Sequence, residues 1–126
     1  MEFEGEYLNG KKNGKGKEYN LYGILIYEGE YLNDKRNGEG KEYNKKGKLE
    51  FDGEYLNGER KENGKRKEYD YSGRLIFEGE YLNGKKLKGK IYEYYNYGQL
   101  KFEGEYLNGK KWEGNEYDIK KNIIYK

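Results

Sequence analysis

The 126-residue chain is 33% hydrophobic and 40% charged, a balance that leans toward disorder, yet its 17 tyrosines and four phenylalanines return at regular intervals. Twenty-six basic residues against 24 acidic ones leave a net charge of +2, which excludes a strong global pull toward nucleic acid or an anionic membrane. The absence of cysteine excludes disulfides and thiolate chemistry, and the absence of histidine removes the usual general base and the commonest metal ligand.

The first unit, residues 3–26, opens with an aromatic-Glu-Gly step and then Gly-Glu-Tyr-Leu-Asn-Gly at residues 5–10. That six-residue stretch returns at Gly53, Gly79 and Gly104, and as Gly-Glu-Tyr-Leu-Asn-Asp at residues 29–34. The leading glycines are 24, 24, 26 and 25 residues apart, so the chain is a tandem array of one short unit. The remaining units are 27–50, 51–76, 77–101 and 102–126, and the whole of 1–126 is expected to form a single array. Units one and two keep a Gly-x-Gly (Gly14 and Gly16; Gly38 and Gly40), a Glu-Tyr (Glu18-Tyr19; Glu42-Tyr43) and a late glycine (Gly23; Gly47). The third has two extra residues around Lys61 to Asn63 and Arg66 in place of its second glycine. The fourth carries Ile91 and Tyr92 in that region, and the fifth holds the only tryptophan, Trp112.

No helix is expected, because apolar residues never recur at three and four and glycine interrupts every helical window. Alternation of period two is clear instead: Leu25, Tyr27, Gly29 and Tyr31 share one face, with Ile26, Glu28, Glu30 and Leu32 on the other. Asn9-Gly10 signals a turn, and Asn20 to Gly23 turns the chain into the next unit. Each unit therefore reads as a β-hairpin. The expected fold is all-β: an elongated, single-layer antiparallel meander of about ten strands. A register with Tyr7 facing Gly16 would place the tyrosine ring over a glycine and Glu6 beside Lys17, repeated as Tyr31 over Gly40 and Glu30 beside Lys41. Arg66 forbids the same pair in the third unit. The apolar ending Asn122, Ile123, Ile124 and Tyr125 reads as an exposed edge, through which the chain could pair with a second copy.

The pattern aromatic-Glu-Gly-Glu-Tyr-Leu-Asn-Gly-Lys, followed by Gly-x-Gly and Glu-Tyr, resembles the MORN (membrane occupation and recognition nexus) repeat. Gly5, Tyr7, Gly10, Gly14 and Gly16 and their successors carry the resemblance, in phase through five units. The 24- to 26-residue spacing also resembles variant MORN-like repeats of bacterial proteins described as antitoxins. The resemblance implies a twisted sheet of hairpins and non-enzymatic work: scaffolding, dimerisation, docking of a partner segment in an aromatic groove, or contact with phospholipid. An antitoxin-like inhibitor of a partner protein is the further alternative it implies.

Two surfaces are candidate sites. Tyr7, Tyr31, Tyr55, Tyr81 and Tyr106, with Trp112, form a row that either holds the sheet together or lines a groove for a protein partner. The dibasic steps Lys11-Lys12, Lys35-Arg36, Lys85-Lys86 and Lys110-Lys111 fall past the hairpin tips, either as a solvated edge or as a contact for anionic lipid. Acidic rows stand close by, Glu4, Glu28, Asp52, Glu78 and Glu103 with Glu6, Glu30, Glu54, Glu80 and Glu105. They favour the solvated reading, and with lysines interleaved they are not expected to hold a metal. No catalytic set, cofactor site or nucleic-acid site is expected. No apolar run approaches the ~20 residues of a membrane span, so the expected setting is cytoplasmic, with attachment at a membrane periphery as the alternative.

Overall fold

The structure is a computed structural model that describes residues 2–118 and 123–125, the side chains of residues 112, 113 and 123–125 excepted. The described residues contain no helix. The first hairpin is β1 (Glu2–Leu8) and β2 (Lys11–Tyr19), the second β3 (Leu25–Leu32) and β4 (Lys35–Tyr43). The third opens with β5 (Leu49–Leu56), and its return is split into β6 (Glu59–Arg60) and β7 (Gly64–Tyr69). Next come β8 (Leu75–Leu82) with β9 (Lys85–Tyr94), β10 (Leu100–Leu107) with β11 (Lys110–Tyr117), and β12 (Ile123–Tyr125). Strand order is sequential from β1 to β5, then β7 to β12, with β6 pairing β5 alone. The meander of hairpins is therefore as the alternation implies. Twelve strands replace the expected ten because the inserted residues 61–63 break the third return strand and β12 adds a short one.

The chain gathers into two compact units, Met1–Lys61 with Glu68–Arg74, and Glu62–Lys67 with Leu75–Lys126. In the first, Tyr27, Tyr31, Phe51 and Tyr55 form the core with Phe3 packed against them. In the second, Phe77, Ile91 and Phe102 are buried, with Tyr81 and Tyr106 against them.

The expected register is corrected by the turn. Asn9 and Gly10 both have positive φ, 52° and 79°, the type I′ geometry whose twist matches that of paired strands. This two-residue turn sets Leu8 opposite Lys11 and Tyr7 opposite Lys12, not opposite Gly16. A bulge then takes up residues 13–15, and pairing resumes with Gly5 opposite Gly16 and Glu4 opposite Lys17. The second hairpin repeats the arrangement, with Tyr31 opposite Arg36, Gly29 opposite Gly40 and Glu28 opposite Lys41. The Gly-x-Gly motif thus has two separate jobs. Its first glycine holds the bulge in left-handed backbone, φ 95° at Gly14 and 100° at Gly38. The carboxylate of Glu6, and of Glu30 in the next unit, tucks against it and accepts the backbone N–H of Lys15 or Glu39.

The second glycine lies under an aromatic ring, but a different ring from the one expected. Across β1 to β5 the partners Gly5, Gly16, Gly29, Gly40 and Gly53 stand in one row. Phe3 lies over Gly16, and Tyr27 over Gly40. These rings come from the aromatic-Glu-Gly step, two residues before the leading glycine. A Cβ on Gly16 would stand 2.5 Å from Phe3, and 3.1 Å from Tyr31 of the next unit.

Neighbouring hairpins are also stitched at their tips. The Asp34 N–H donates to the Lys12 carbonyl at 3.0 Å and the Gly58 N–H to the Arg36 carbonyl at 2.8 Å. Asp34, at φ 71° where other units have glycine, uses its carboxylate to accept the Lys12 N–H at 2.8 Å. The departure from the motif thus adds a link between hairpins.

Gly40→Ala is the substitution that tests the close approach, because its Cβ would lie 2.5 Å from the Tyr27 hydroxyl oxygen and 2.6 Å from a ring carbon. Overpacking of this kind costs roughly 1–3 kcal/mol, so the urea midpoint should fall clearly. Gly23→Ala, at an inter-unit turn with φ 78° and open space around it, should lose only the backbone term of about 1 kcal/mol. Equal losses from the two variants would contradict ring-over-glycine packing.

Candidate interaction surfaces

Successive strand residues point to opposite faces, so each unit builds two chemically different surfaces. On the aromatic face of the first compact unit the rings form an unbroken zigzag, Tyr7, Phe3, Tyr31, Tyr27, Tyr55 and Phe51. Centroids are 5.0–5.6 Å apart and planes are 81–88° to one another. Edge-to-face pairs of this kind contribute ~0.5–1.5 kcal/mol each beyond the area they bury. In the second compact unit Phe77 meets Tyr81 and Tyr106 in the same way, at 5.7 and 6.4 Å.

The open side of these rings is covered by cations. Lys12 lies 4.5 Å over Phe3, Arg36 4.2 Å over Tyr27, and Arg60 4.2 Å over Phe51. Lys86 lies over Phe77, Lys111 over Phe102, and Arg66 lies 3.7 Å over Tyr81. A carboxylate from the preceding unit completes the caps made by Arg36, Arg60 and Lys111. Glu18 accepts both Nε and Nη2 of Arg36, at 3.0 and 3.1 Å, and the Tyr31 hydroxyl. Glu42 likewise accepts both Nε and Nη2 of Arg60, at 3.1 and 2.7 Å, and the Tyr55 hydroxyl. Lys111 reaches Glu93 at 2.7 Å, a more exposed version of the pair. A one-layer sheet thereby buries Tyr27 completely and leaves Tyr31 and Tyr55 only 4% and 2% exposed.

Burial alone would raise the Glu18 carboxyl, but the Arg36 and Tyr31 hydrogen bonds and the guanidinium charge hold it below its ordinary range. Glu42 is lowered in the same way, against burial, by Arg60 and Tyr55. Burial pushes Tyr27 up to about 12, and burial with the Glu18 or Glu42 bond pushes Tyr31 and Tyr55 higher still.

The sequence-predicted site residues separate on these faces. Of the tyrosine row, Tyr31 and Tyr55 are core, Tyr81 and Tyr106 are half-buried, and Tyr7 is 59% exposed. The Trp112 side chain lies outside the described residues. The dibasic steps do not form one edge, because adjacent residues face apart. Lys12, Arg36, Lys86 and Lys111 cap the aromatic face, while Lys11, Lys35, Lys85 and Lys110 are exposed on the other face at the hairpin tips. Glu18 and Glu42, not singled out from sequence, are the residues that join neighbouring units. Only recurrence could have marked them, since Glu18, Tyr31 and Arg36 return together 24 residues on as Glu42, Tyr55 and Arg60.

The opposite face is polar. Cross-strand pairing lines up Glu4, Lys17, Glu28, Lys41 and Asp52 as a ladder of alternating charge across β1 to β5. The Tyr43 hydroxyl donates to Glu28 at 2.7 Å, and burial followed by that bond pushes its pKa up to about 12. Between this ladder and the next row of charges runs a groove of about 520 Å³ floored by Gly5, Gly16, Gly29 and Gly40. Among the described residues no three carboxylates gather closely enough to hold a metal ion.

Nearest the hairpin tips, the polar face carries one exposed leucine per unit. Leu8, Leu32 and Leu56 are 58%, 49% and 55% exposed, and Leu82 and Leu107 are 49% and 42% exposed. Each stands directly opposite a tip residue: Lys11, Lys35, Glu59, Lys85 and Lys110 in turn.

A family model for the MORN repeat matches residues 3–19 and 27–48, which are the first hairpin and the second with the turn that follows it. Its first two hairpins carry the MORN repeat. No curated protein matches it. MORN repeats are in general non-catalytic modules that mediate interactions with proteins or membranes. No helix among the described residues is long and apolar enough to cross a membrane.

The capped aromatic face has a pH signature with a defined sign. Glu18 and Glu42 hold a proton less tightly in the fold than in the unfolded chain, so their contribution is full above about pH 4.5 and is lost as pH falls below it. The tyrosines hold theirs more tightly, so their contribution is full below pH 10 and is lost above it, through about 12 for Tyr27 and at higher pH for Tyr31 and Tyr55. Urea midpoints should therefore fall on both limbs, and Tyr31→Phe with Tyr55→Phe should flatten the alkaline one. A midpoint that stays level from pH 5 down to pH 2 would rule out the carboxylate caps.

Proposed function

We propose that the chain is a non-enzymatic scaffold that holds a protein partner along its hairpin-tip edge. One observation carries the reading: every unit exposes a leucine at the same tip position. Tyr7 and the inter-unit turn residues Leu21, Tyr22, Tyr71 and Tyr97 are exposed too, but none of these exposures recurs in every unit as the leucine's does. The tyrosine row is largely consumed by packing against its own glycines, carboxylates and cations, so the partner surface is placed on the leucines rather than on that row. Tyr7, exposed at the β1 edge, is the member of the row still open to a partner. The general role of MORN repeats as interaction modules supports the same reading.

A second reading has its own support, since four of the five tip leucines face a lysine. That pairing of apolar and cationic side chains also suits the surface of an anionic bilayer.

Leu32→Ser with Leu56→Ser separates these readings from packing effects, because both side chains are already about half exposed. A leucine buried on binding contributes roughly 1.5–3 kcal/mol, and about 1.4 kcal/mol is tenfold in affinity. Pull-down from source cells should thus lose the partner at least tenfold, with the urea midpoint nearly unchanged. Flotation with phosphatidylserine vesicles, lost in the same variant and in high salt, would favour the membrane reading. Full partner recovery and unchanged flotation would remove the tip edge from both.

A further inference from the structure

Resting on the tip-edge reading, we propose that the partner is an amphipathic α-helix laid across the hairpin tips of the polar face. Its apolar seam packs on the leucine row, with an acidic flank toward the tips and a basic flank toward the sheet centre.

The spacing supports a helix. Tip leucines recur on every second strand of β1 to β5, at Leu8, Leu32 and Leu56. Two strand spacings are about 9.5 Å, and seven residues of α-helix rise about 10.5 Å. A side chain repeating every seventh residue therefore meets successive leucines with a slip of ~1 Å per step, small enough for leucine rotamers to absorb. An extended segment running in this direction would have no such match, since its same-face side chains repeat at about 7 Å.

Charge fixes the flanks. Lys11 and Lys35 stand in the tip row beside Leu8 and Leu32, and both are exposed; Glu59 takes that place beside Leu56, so the basic tip row spans the first two hairpins. One same-face step inward along the strands the sign reverses, to Glu6, Glu30 and Glu54. Glu39 lies directly opposite Glu54, a like-charge pair that is unfavourable in the sheet alone. Lys15 opposite Glu30 and Lys61, 3.9 Å from Glu54, offset that row only in part. A partner with a basic flank would relieve the Glu39–Glu54 repulsion, whereas an anionic bilayer would add to it. The dipolar edge thus favours a helix with two unlike flanks over a uniformly negative surface.

The probe is a synthetic 21-residue peptide with leucine at every seventh position, glutamate on one flank of the seam and lysine on the other. Exchanging the flanks only reverses the helix along the row, so the controls are peptides with both flanks basic or both acidic, and one broken by a central proline. Fluorescence anisotropy with the full chain should show the two-flank helix binding at least tenfold tighter than each control. Leu32→Ser with Leu56→Ser should weaken it at least tenfold. Lys11→Glu with Lys35→Glu should do the same, while circular dichroism stays unchanged. Equal binding of all four peptides, or none, would overturn the helix assignment. If the leucine variant nevertheless lost cellular partner capture, the tip edge would stand and only the occupant would be wrong. Vesicle flotation that depends on the leucines, with no peptide preference, would assign the edge to lipid instead. Binding of the two-flank helix unaffected by the leucine variant would remove the edge itself.

Discussion

Everything on the aromatic face depends on how closely two backbones can be roofed by one ring. A single-layer sheet has no second layer to exclude water, so its aromatic residues must find cover within the layer. The glycine row Gly5, Gly16, Gly29, Gly40 and Gly53 removes the Cβ atoms that would hold rings away from the sheet. Phe3 and Tyr27 then lie flat against backbone. That lowers the rings enough for the next unit's tyrosine to meet them edge-on, at 5.0 Å for Phe3 with Tyr31. Glycine is thus a packing residue in this row, distinct from Gly14 and Gly38, whose left-handed backbone forms the bulge.

The rings would still be wet on their outer side without the cations. Arg36 and Arg60 spread planar guanidinium groups over Tyr27 and Phe51, a geometry worth ~0.5–2 kcal/mol depending on desolvation. Their charge is answered in each case by two parallel hydrogen bonds to a carboxylate of the preceding unit. Each cap therefore couples neighbours: the carboxylate belongs to one hairpin, the hydroxyl and guanidinium to the next. This is nearest-neighbour stabilisation of the kind that lets a repeat array add or lose units. Lysine replaces arginine at Lys12, Lys86 and Lys111 and cannot make the two-pronged contact, so those caps are weaker.

Much of the fold was legible in the chain because alternation and recurrence are both short-range signals. Leu25, Tyr27, Gly29 and Tyr31 announced one face, and the repeated Asn-Gly announced the turn. The register was not legible. Tyr7 opposite Gly16 and Tyr7 opposite Lys12 place equally reasonable side chains together, and the two-residue turn at Asn9-Gly10, with the left-handed bulge at Gly14 behind it, decides between them. The dibasic steps were misread as one edge although alternation separates Lys11 from Lys12. Glu18 shows in the sequence as half of a recurring Glu-Tyr pair, but not as a joint between units, because its partners Tyr31 and Arg36 are 13 and 18 residues away in the next unit.

The same pleat explains why the tip leucine is left outside. Tyr7 and Leu8 are adjacent, and turning one toward the aromatic face commits the other to the polar face. A polar residue at that position would leave the hairpin intact, since Leu8 contributes little to either core cluster. Its recurrence in all five units, through insertions that shift the period from 24 to 26 residues, is thus not demanded by the packing of the sheet. On the proposed reading the constraint acts on what the row meets. In the first compact unit Leu8, Leu32 and Leu56 fall in one row only when its hairpins stand in register. The capped aromatic face supplies that register. In this architecture the buried surface works as a ruler, and the exposed one is what it spaces.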